Sequence, residues 1–281
     1  MSDPQADPLP PLVLPEGWHV LHLYYSIDHS QWSILSQEEQ RSAKTDLSEL
    51  VQEIRSHSDG TQLLTFSVAT PKADLGFMLL TPDLRDAVSF EKQLTLSLGP
   101  DILQPTYSYL SVTERSEYMT TREDYAHNVL QAQQGLTEGT PEYEAGLEEF
   151  DTRMKHYEAR RLHPVLPDWP VLCFYPMSKR RNPIAEYNWY QQDFETRKDQ
   201  MKGHATTGRK YAGKILQLIT GSTGLDEHEW GVTLLSQSTG DVKDIVYEMR
   251  FDEVSARYAE FGDFYIGLQL PLNELFRQVC L

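Results

Sequence analysis

The chain has 281 residues, 40% of them hydrophobic, enough for one large domain or two ordinary ones. Its 42 Asp and Glu against 25 Lys and Arg give a formal net charge of −17, a balance that repels phosphate backbones and anionic lipid and excludes nucleic acid as an expected partner. No stretch approaches the roughly 20 apolar residues of a membrane helix, and the opening MSDPQADPLPPLVLPEG lacks the basic and apolar regions of a secretory leader, so a cytoplasmic location without an integral membrane segment is expected.

Residues 1–17, with Pro4, Pro8, Pro10, Pro11 and Pro15, read as an extended arm, and folding is expected to begin at Trp18. From there WHVLHLYYS predicts a strand. The segment SQEEQRSAKTDLSELVQEIRSH predicts a helix, opened by a Ser36-x-x-Glu39 capping box and apolar at Leu47, Leu50, Val51 and Ile54. Strands TQLLTFSV and LGFMLLT, a helix DLRDAVSFEKQLTLS and a strand TYSYLSVTE complete a β-α-β-β-α-β unit over 18–121. A polar helical insert follows over 122–164.

The same order then repeats over 165–281: strand VLCFYPMS, a helical region from Asp193 to Tyr211, strands ILQLITGS and EWGVTLLSQ, helix GDVKDIVYEMRF and strand DFYIGLQL. The repeat lies in element order, not in residue identity. The fold class expected is therefore α+β, two ferredoxin-like halves, each an antiparallel sheet with helices on one face. Packing the two bare faces together would form an α+β barrel, with an interior pocket as the natural place for a ligand.

Cation placement is the clearest chemical signal. In FYPMSKRRNP, Lys179, Arg180 and Arg181 follow Tyr175 at the end of a strand, and such a group suits a ligand with several carboxylates. Arg197, Lys198 and Lys202 read as a solvated helix face. Cys173 alternates with Val171 and Tyr175 as a buried strand residue, and with Cys280 it makes neither a zinc site nor a disulfide framework. Most of the nine histidines are scattered, without metal-ligand spacing. His204, close to Gly203 and Gly208 in MKGHATTGRKYAGK, is the exception: the glycines allow close approach of something flat, and one imidazole suffices for a haem iron. There is no GxSxG, no P-loop and no GxGxxG after a strand.

The segments CFYPMSKRR, NWY, GHATTGRKYAGK, QLITGSTGLDEHEWGVTLL and VYEMRFDEVSARYAEFG together resemble the chlorite dismutase superfamily, in particular its coproheme decarboxylase branch. The likeness is dense from about Arg161 to Gly267. It implies a dimeric α+β barrel, assembled as a homopentamer, with the porphyrin in the C-terminal half. It further implies His204 as proximal iron ligand, Tyr175 as the redox-active tyrosine and Lys179 as its partner at a propionate. Arg161, Arg250 and Ser255 match propionate-holding positions, and Met177 lines the same pocket. Gln217 stands where chlorite-degrading members carry an arginine, and a neutral amide cannot supply that cation. The activity implied is hydrogen-peroxide-dependent conversion of iron-coproporphyrin III (coproheme) to haem b, with a ferrochelatase as a transient contact. A non-catalytic haem or coproheme carrier, or chlorite chemistry on the same fold, are the alternatives.

Overall fold

The computed structural model describes residues 10–281. Its N-terminal half runs β1 (His19–Ile27), α1 (His29–Ile34), α2 (Gln37–Arg55), β2 (Gln62–Val68), β3 (Leu75–Thr81), α3 (Leu84–Leu96) and β4 (Leu103–Thr113). A linking region holds α4 (Arg122–Tyr125), a π-helical turn (Ala126–Gln131) and α5 (Pro141–Leu162). The C-terminal half runs β5 (Val171–Lys179), two short 3-10 turns (Ala185–Tyr187 and Trp189–Gln191), α6 (Phe194–Arg209), β6 (Ile215–Gly221) and β7 (Trp230–Ser236). It ends with α7 (Thr239–Met249), α8 (Glu253–Tyr258), β8 (Ala259–Phe261), β9 (Tyr265–Gln269) and α9 (Leu272–Gln278).

Local chemistry sets these boundaries. The Ser36–Glu39 capping box forms as expected, the Ser36 hydroxyl accepting from the Glu39 amide and the Glu39 carboxylate accepting from the Ser36 amide. Ala43, Leu47, Val51 and Ile54 return on one face of α2 at helical spacing and are buried against the sheet. Full burial of the three larger side chains contributes about 1.5–3 kcal/mol each.

The class is α+β, and the two halves share one topology. The first orders its strands β4-β1-β3-β2 and the second β9-β5-β7-β6, all antiparallel. By position within the half, each reads fourth, first, third, second. The fourth strand of each half also pairs with the second strand of the other, β4 with β6 and β9 with β2. Eight strands thus hydrogen-bond in a ring, with the short β8 added beside β5.

Three layers of core follow from strand alternation. Leu21, Leu23, Tyr25 and Ile27 of β1 face α2, α3 and α9, while Val20 and Tyr24 face inward. Val171, Cys173 and Tyr175 of β5 face outward toward Val242 and Ile245 of α7, and Leu172 and Phe174 face inward. The inward residues fill the space between the halves, with the Tyr24 and Tyr265 rings 4.3 Å apart and His22 stacked on Phe174 at 3.9 Å. Burial pushes the pKa of the His22 imidazole down to about 3, so it is neutral, its Nε2 sharing a 2.8 Å hydrogen bond with Thr233 Oγ1. The interior pocket expected from the sequence is therefore packed core, and Tyr175, Met177 and Lys179, which alternate with Leu172 and Phe174 along β5, lie on the opposite side of the second sheet.

Other expectations need correction at the edges. The part of the Pro-rich arm within residues 1–9 lies outside the described residues. From Pro10 onward the arm already belongs to the fold: the Leu12 amide donates to Asp83 Oδ1 at 2.9 Å, and Arg85 Nε donates to the Pro10 carbonyl at 2.8 Å. The helix expected through Phe251 ends at Met249. Asp252 then caps α8, its carboxylate accepting from the Ser255 amide. The helices α1 and α9 have no counterpart in the elements expected from the sequence.

Candidate functional site on the outer face of the second sheet

Alternation along β5 places Val171, Cys173, Tyr175, Met177 and Lys179 on one side of the sheet. Register carries that face across two more strands: Cys173 lies opposite Leu234 of β7, and Leu234 opposite Gln217 of β6. Tyr175, Met177, Lys179 and Gln217 therefore share the outward face.

Tyr175 is 5% exposed, stacked on Phe264 at 4.3 Å and edge-on to Phe261 at 5.6 Å. Burial raises its phenol well above the ordinary tyrosine range, opposed by the charge of Arg250, so the phenol is protonated at neutral pH. Lys179 is 8% exposed and its ammonium sits 4.9 Å from the centre of the Trp189 ring. Burial pushes its pKa down from 10.5 to about 8, while Asp252 and Glu229 pull it back upward. Among the described residues Lys179, Arg161 and Arg250 form no ion pair, although the chain is strongly acidic.

The other two cations of the strand end are placed differently from the expectation. Arg180 Nε pairs with Glu260 at 3.3 Å, and Arg181 Nη2 with Glu229 at 2.5 Å. Both are neutralised within the chain, leaving Lys179 as the cation of that group on the site face. Glu229, itself buried, also accepts from the Lys179 amide at 2.7 Å and so fixes the end of β5.

The helix α6 starts on Asp193, whose carboxylate accepts from the Thr196 amide, and lies against α7 and α8. Of its sixteen residues only Gly208 is fully buried, in contrast to the four of α2. It has no apolar stripe with which to seal the face below it. A side chain at Gly203 would meet nothing within 4 Å, whereas one at Gly208 would press on Gln217 at 3.2 Å. Gln217 Nε2 donates to the Gly208 carbonyl at 3.0 Å, joining the sheet to the helix.

His204 projects from α6 toward α8. Its Nδ1 is 3.0 Å from Asp252 Oδ2, which also accepts from the Ser255 hydroxyl at 3.1 Å. A carboxylate on one ring nitrogen orients the imidazole and leaves Nε2 as its remaining donor atom. Burial alone would raise the Asp252 carboxyl; the His204 and Ser255 bonds outweigh it and hold the group below the usual carboxylate range. Asp252 thus couples His204, Ser255 and, through its charge, Lys179. Arg250 lies with its guanidinium 5.0 Å from the Phe261 ring, beside Tyr175. Arg161 stands apart, on the last turn of α5 by Glu114, and its buried Nε has no hydrogen-bond partner among the described residues. Burial raises Glu114, against a bond from Trp230 and the charge of Arg161. Trp230 is the residue opposite Met177 on β7.

Arg197 and Lys198 are less free than a solvated face implies: Arg197 Nε donates to the Tyr118 hydroxyl at 3.1 Å and Lys198 Nζ to Asp124 at 2.6 Å, so the linking region holds the start of α6. Sequence reading missed Asp252, Glu229, Trp189, Phe261 and Phe264. All five fall in or beside the quoted motifs, yet no local spacing ties Asp252 to a histidine 48 positions earlier.

The fold is thus α+β, with an oriented histidine on α6 and a buried phenol and a buried ammonium on the outward face of β5. The chlorite dismutase family model matches residues 40–270. A heme-binding protein from Thermus thermophilus is 36% identical, covering 97% of this chain and 98% of its own, with a TM-score of 0.77. A mutant chlorite dismutase from Candidatus Nitrospira defluvii is 17% identical over 95% of this chain and 98% of its own, TM-score 0.69. The chlorite dismutase of that organism in complex with imidazole is likewise 17% identical, over 95% and 97%, TM-score 0.68, and at this distance the likeness is one of fold. The chain belongs to the chlorite dismutase family.

Proposed function

We propose that this protein is a coproheme decarboxylase, using hydrogen peroxide to remove the carboxyl groups of two propionates of iron-coproporphyrin III and yield haem b. The observation that carries the reading is the pair Tyr175 and Lys179: a buried phenol and a buried ammonium without an ion pair among the described residues, on the same face of β5. Simple retention of a porphyrin needs neither.

The residues suit an iron porphyrin. His204 offers Nε2 as an axial ligand, its other nitrogen held by Asp252. The underside of α6 has no apolar stripe of its own, and Gly203 admits close approach. Lys179, Arg250 and Arg161, with the Ser255 hydroxyl, are the candidate partners for four propionates, since carboxylates are costly to bury unpaired. Met177 lines the same face. When bound, the iron supplies the redox centre at which peroxide is reduced.

For each propionate, loss of carbon dioxide, one proton and two electrons leaves a vinyl group, and one hydrogen peroxide takes up the two electrons, that proton and one more from solvent to give two waters. Tyr175 is the residue through which an oxidising equivalent reaches the carboxylate. Its raised pKa keeps the proton on oxygen at rest, so electron and proton must leave together. Lys179 neutralises and positions the reacting carboxylate, with Trp189, Phe261 and Phe264 shielding the pair from water. Gln217 offers a neutral amide, which argues against chlorite chemistry. A homopentamer and a transient ferrochelatase contact form part of the same proposal, and no described helix is long and apolar enough to cross a membrane.

A second reading, a carrier without turnover, is favoured by the description of the Thermus relative as heme-binding. One experiment separates them. The apo-protein is loaded anaerobically with ferric coproheme, titrated with hydrogen peroxide, and the porphyrin followed by chromatography and mass spectrometry. Monovinyl then divinyl product is expected; tight binding with only bleaching of the ring would establish the carrier instead.

A further inference from the structure

Away from this site, three side chains from three different elements converge at the surface of the N-terminal half. His57 follows the end of α2, Asp59 lies in the turn that leads to β2, and Asp86 is in the first turn of α3. One ligand atom from each, an imidazole nitrogen and two carboxylate oxygens, all lie within 4.8 Å of one another. We propose that His57, Asp59 and Asp86 form a binding site for one divalent transition-metal ion, zinc by its donor set, which clips the end of α2 to the start of α3.

Geometry and charge both lead there. Three atoms at that separation can share a centre no farther than about 2.8 Å from each, so roughly 0.7 Å of side-chain movement reaches the 2.0–2.2 Å bonds of zinc. Two carboxylates that close repel, and among the described residues no Lys or Arg pairs with either of them. His57 does not neutralise them, as its nitrogens lie beyond the 4.0 Å of an ion pair. Among the described residues only one of the four carboxylate oxygens is committed, Asp59 Oδ1, which accepts from the Thr61 amide at 2.9 Å.

The donors are also held in place. The His57 ring packs edge-on against Phe90 at 5.1 Å and 87°. The turn carrying Asp59 is locked by Gly60, which has φ +95° and sits so close to Trp18 that an added Cβ would lie 2.7 Å from its ring. Mixed nitrogen and oxygen donors select zinc or a neighbouring transition ion over magnesium and calcium, which take oxygen alone. Three protein ligands leave a fourth position for water.

The test uses full-length protein stripped of metal and free of porphyrin, titrated calorimetrically with zinc chloride, with thermal unfolding followed in parallel. One zinc per chain and a raised unfolding midpoint are expected for the wild type and for His204→Ala. Both effects should be lost in Asp86→Asn and in His57→Ala. Cobalt(II) added to the wild type should give visible ligand-field bands that Asp86→Asn abolishes, a readout that does not depend on folding stability. An unchanged titration in Asp86→Asn, loss in His204→Ala instead, or no binding by the wild type at millimolar zinc would overturn the proposal.

Discussion

Replacing Lys179 with methionine should make the apo-protein more stable while destroying its chemistry. The wild-type ammonium is buried, and its pKa falls from 10.5 in the unfolded chain to about 8 in the folded one. At 1.36 kcal/mol for each pKa unit, holding the charged form in the fold costs about 3 kcal/mol at pH 7. The face of Trp189 returns roughly 1 kcal/mol through its cation–π contact. Lys179→Met should therefore unfold with about 2 kcal/mol more resistance in urea at pH 7. The sign of the pH dependence is fixed as well. Between about pH 8 and 10.5 the unfolded wild type holds a proton on this residue that the folded state has lost, so wild-type stability rises with pH across that window. The variant lacks this gain, and the gap between the two should close toward pH 10. Equal stabilities at pH 7, or a gap independent of pH, would refute the description of Lys179 as a desolvated cation kept for function.

Tyr175→Phe should bind ferric coproheme with little change yet lower the yield of vinyl product roughly 10²–10⁴-fold, read by chromatography after peroxide addition; normal turnover would remove the tyrosine from the mechanism. Asp252→Asn should loosen the orientation of His204 and weaken porphyrin affinity roughly 10–100-fold, with a lowered iron–imidazole stretching frequency in resonance Raman spectra. Affinity and frequency both unchanged would show that Asp252 only caps α8. Gly76→Ala should destabilise by about 1–3 kcal/mol in urea, because the new Cβ would lie 2.6 Å from Phe66 Cζ and 2.9 Å from the Leu23 carbonyl, inside a ladder that cannot spread.

Sequence patterns exposed the parts of this molecule governed by local rules. The Ser36-x-x-Glu39 box marks the start of α2, and the alternation Val171, Cys173, Tyr175 marks the outward face of β5. Hidden were the pairings that depend on distant chain. Nothing local says that Glu229 and Glu260 neutralise Arg181 and Arg180, so three consecutive cations read as one anion site when Lys179 alone remains for it. The inward face of β5 was legible as apolar, but whether it lined a pocket or a core depended on the size of the side chains opposite. Tyr24, Tyr109 and Tyr265 fill that space. Asp252 illustrates the same limit: its place as an N-cap is local, while its bond to His204 exists only once α6 and α8 pack together.

The exchange of edges between the halves has a consequence for synthesis. When the ribosome has made β1 to β4, both outer strands of that sheet still lack the partners they will have in the finished protein, since β2 waits for β9 and β4 for β6. A nascent N-terminal half therefore carries two open edges, each a template for pairing with a neighbouring polypeptide, until nearly the whole chain has emerged. Contacts such as that of His22 with Thr233, 211 positions apart, can form only after that point. Pairings this distant in sequence are expected to slow folding, and a chain cut between its halves is expected to leave both edges of the N-terminal sheet unpaired.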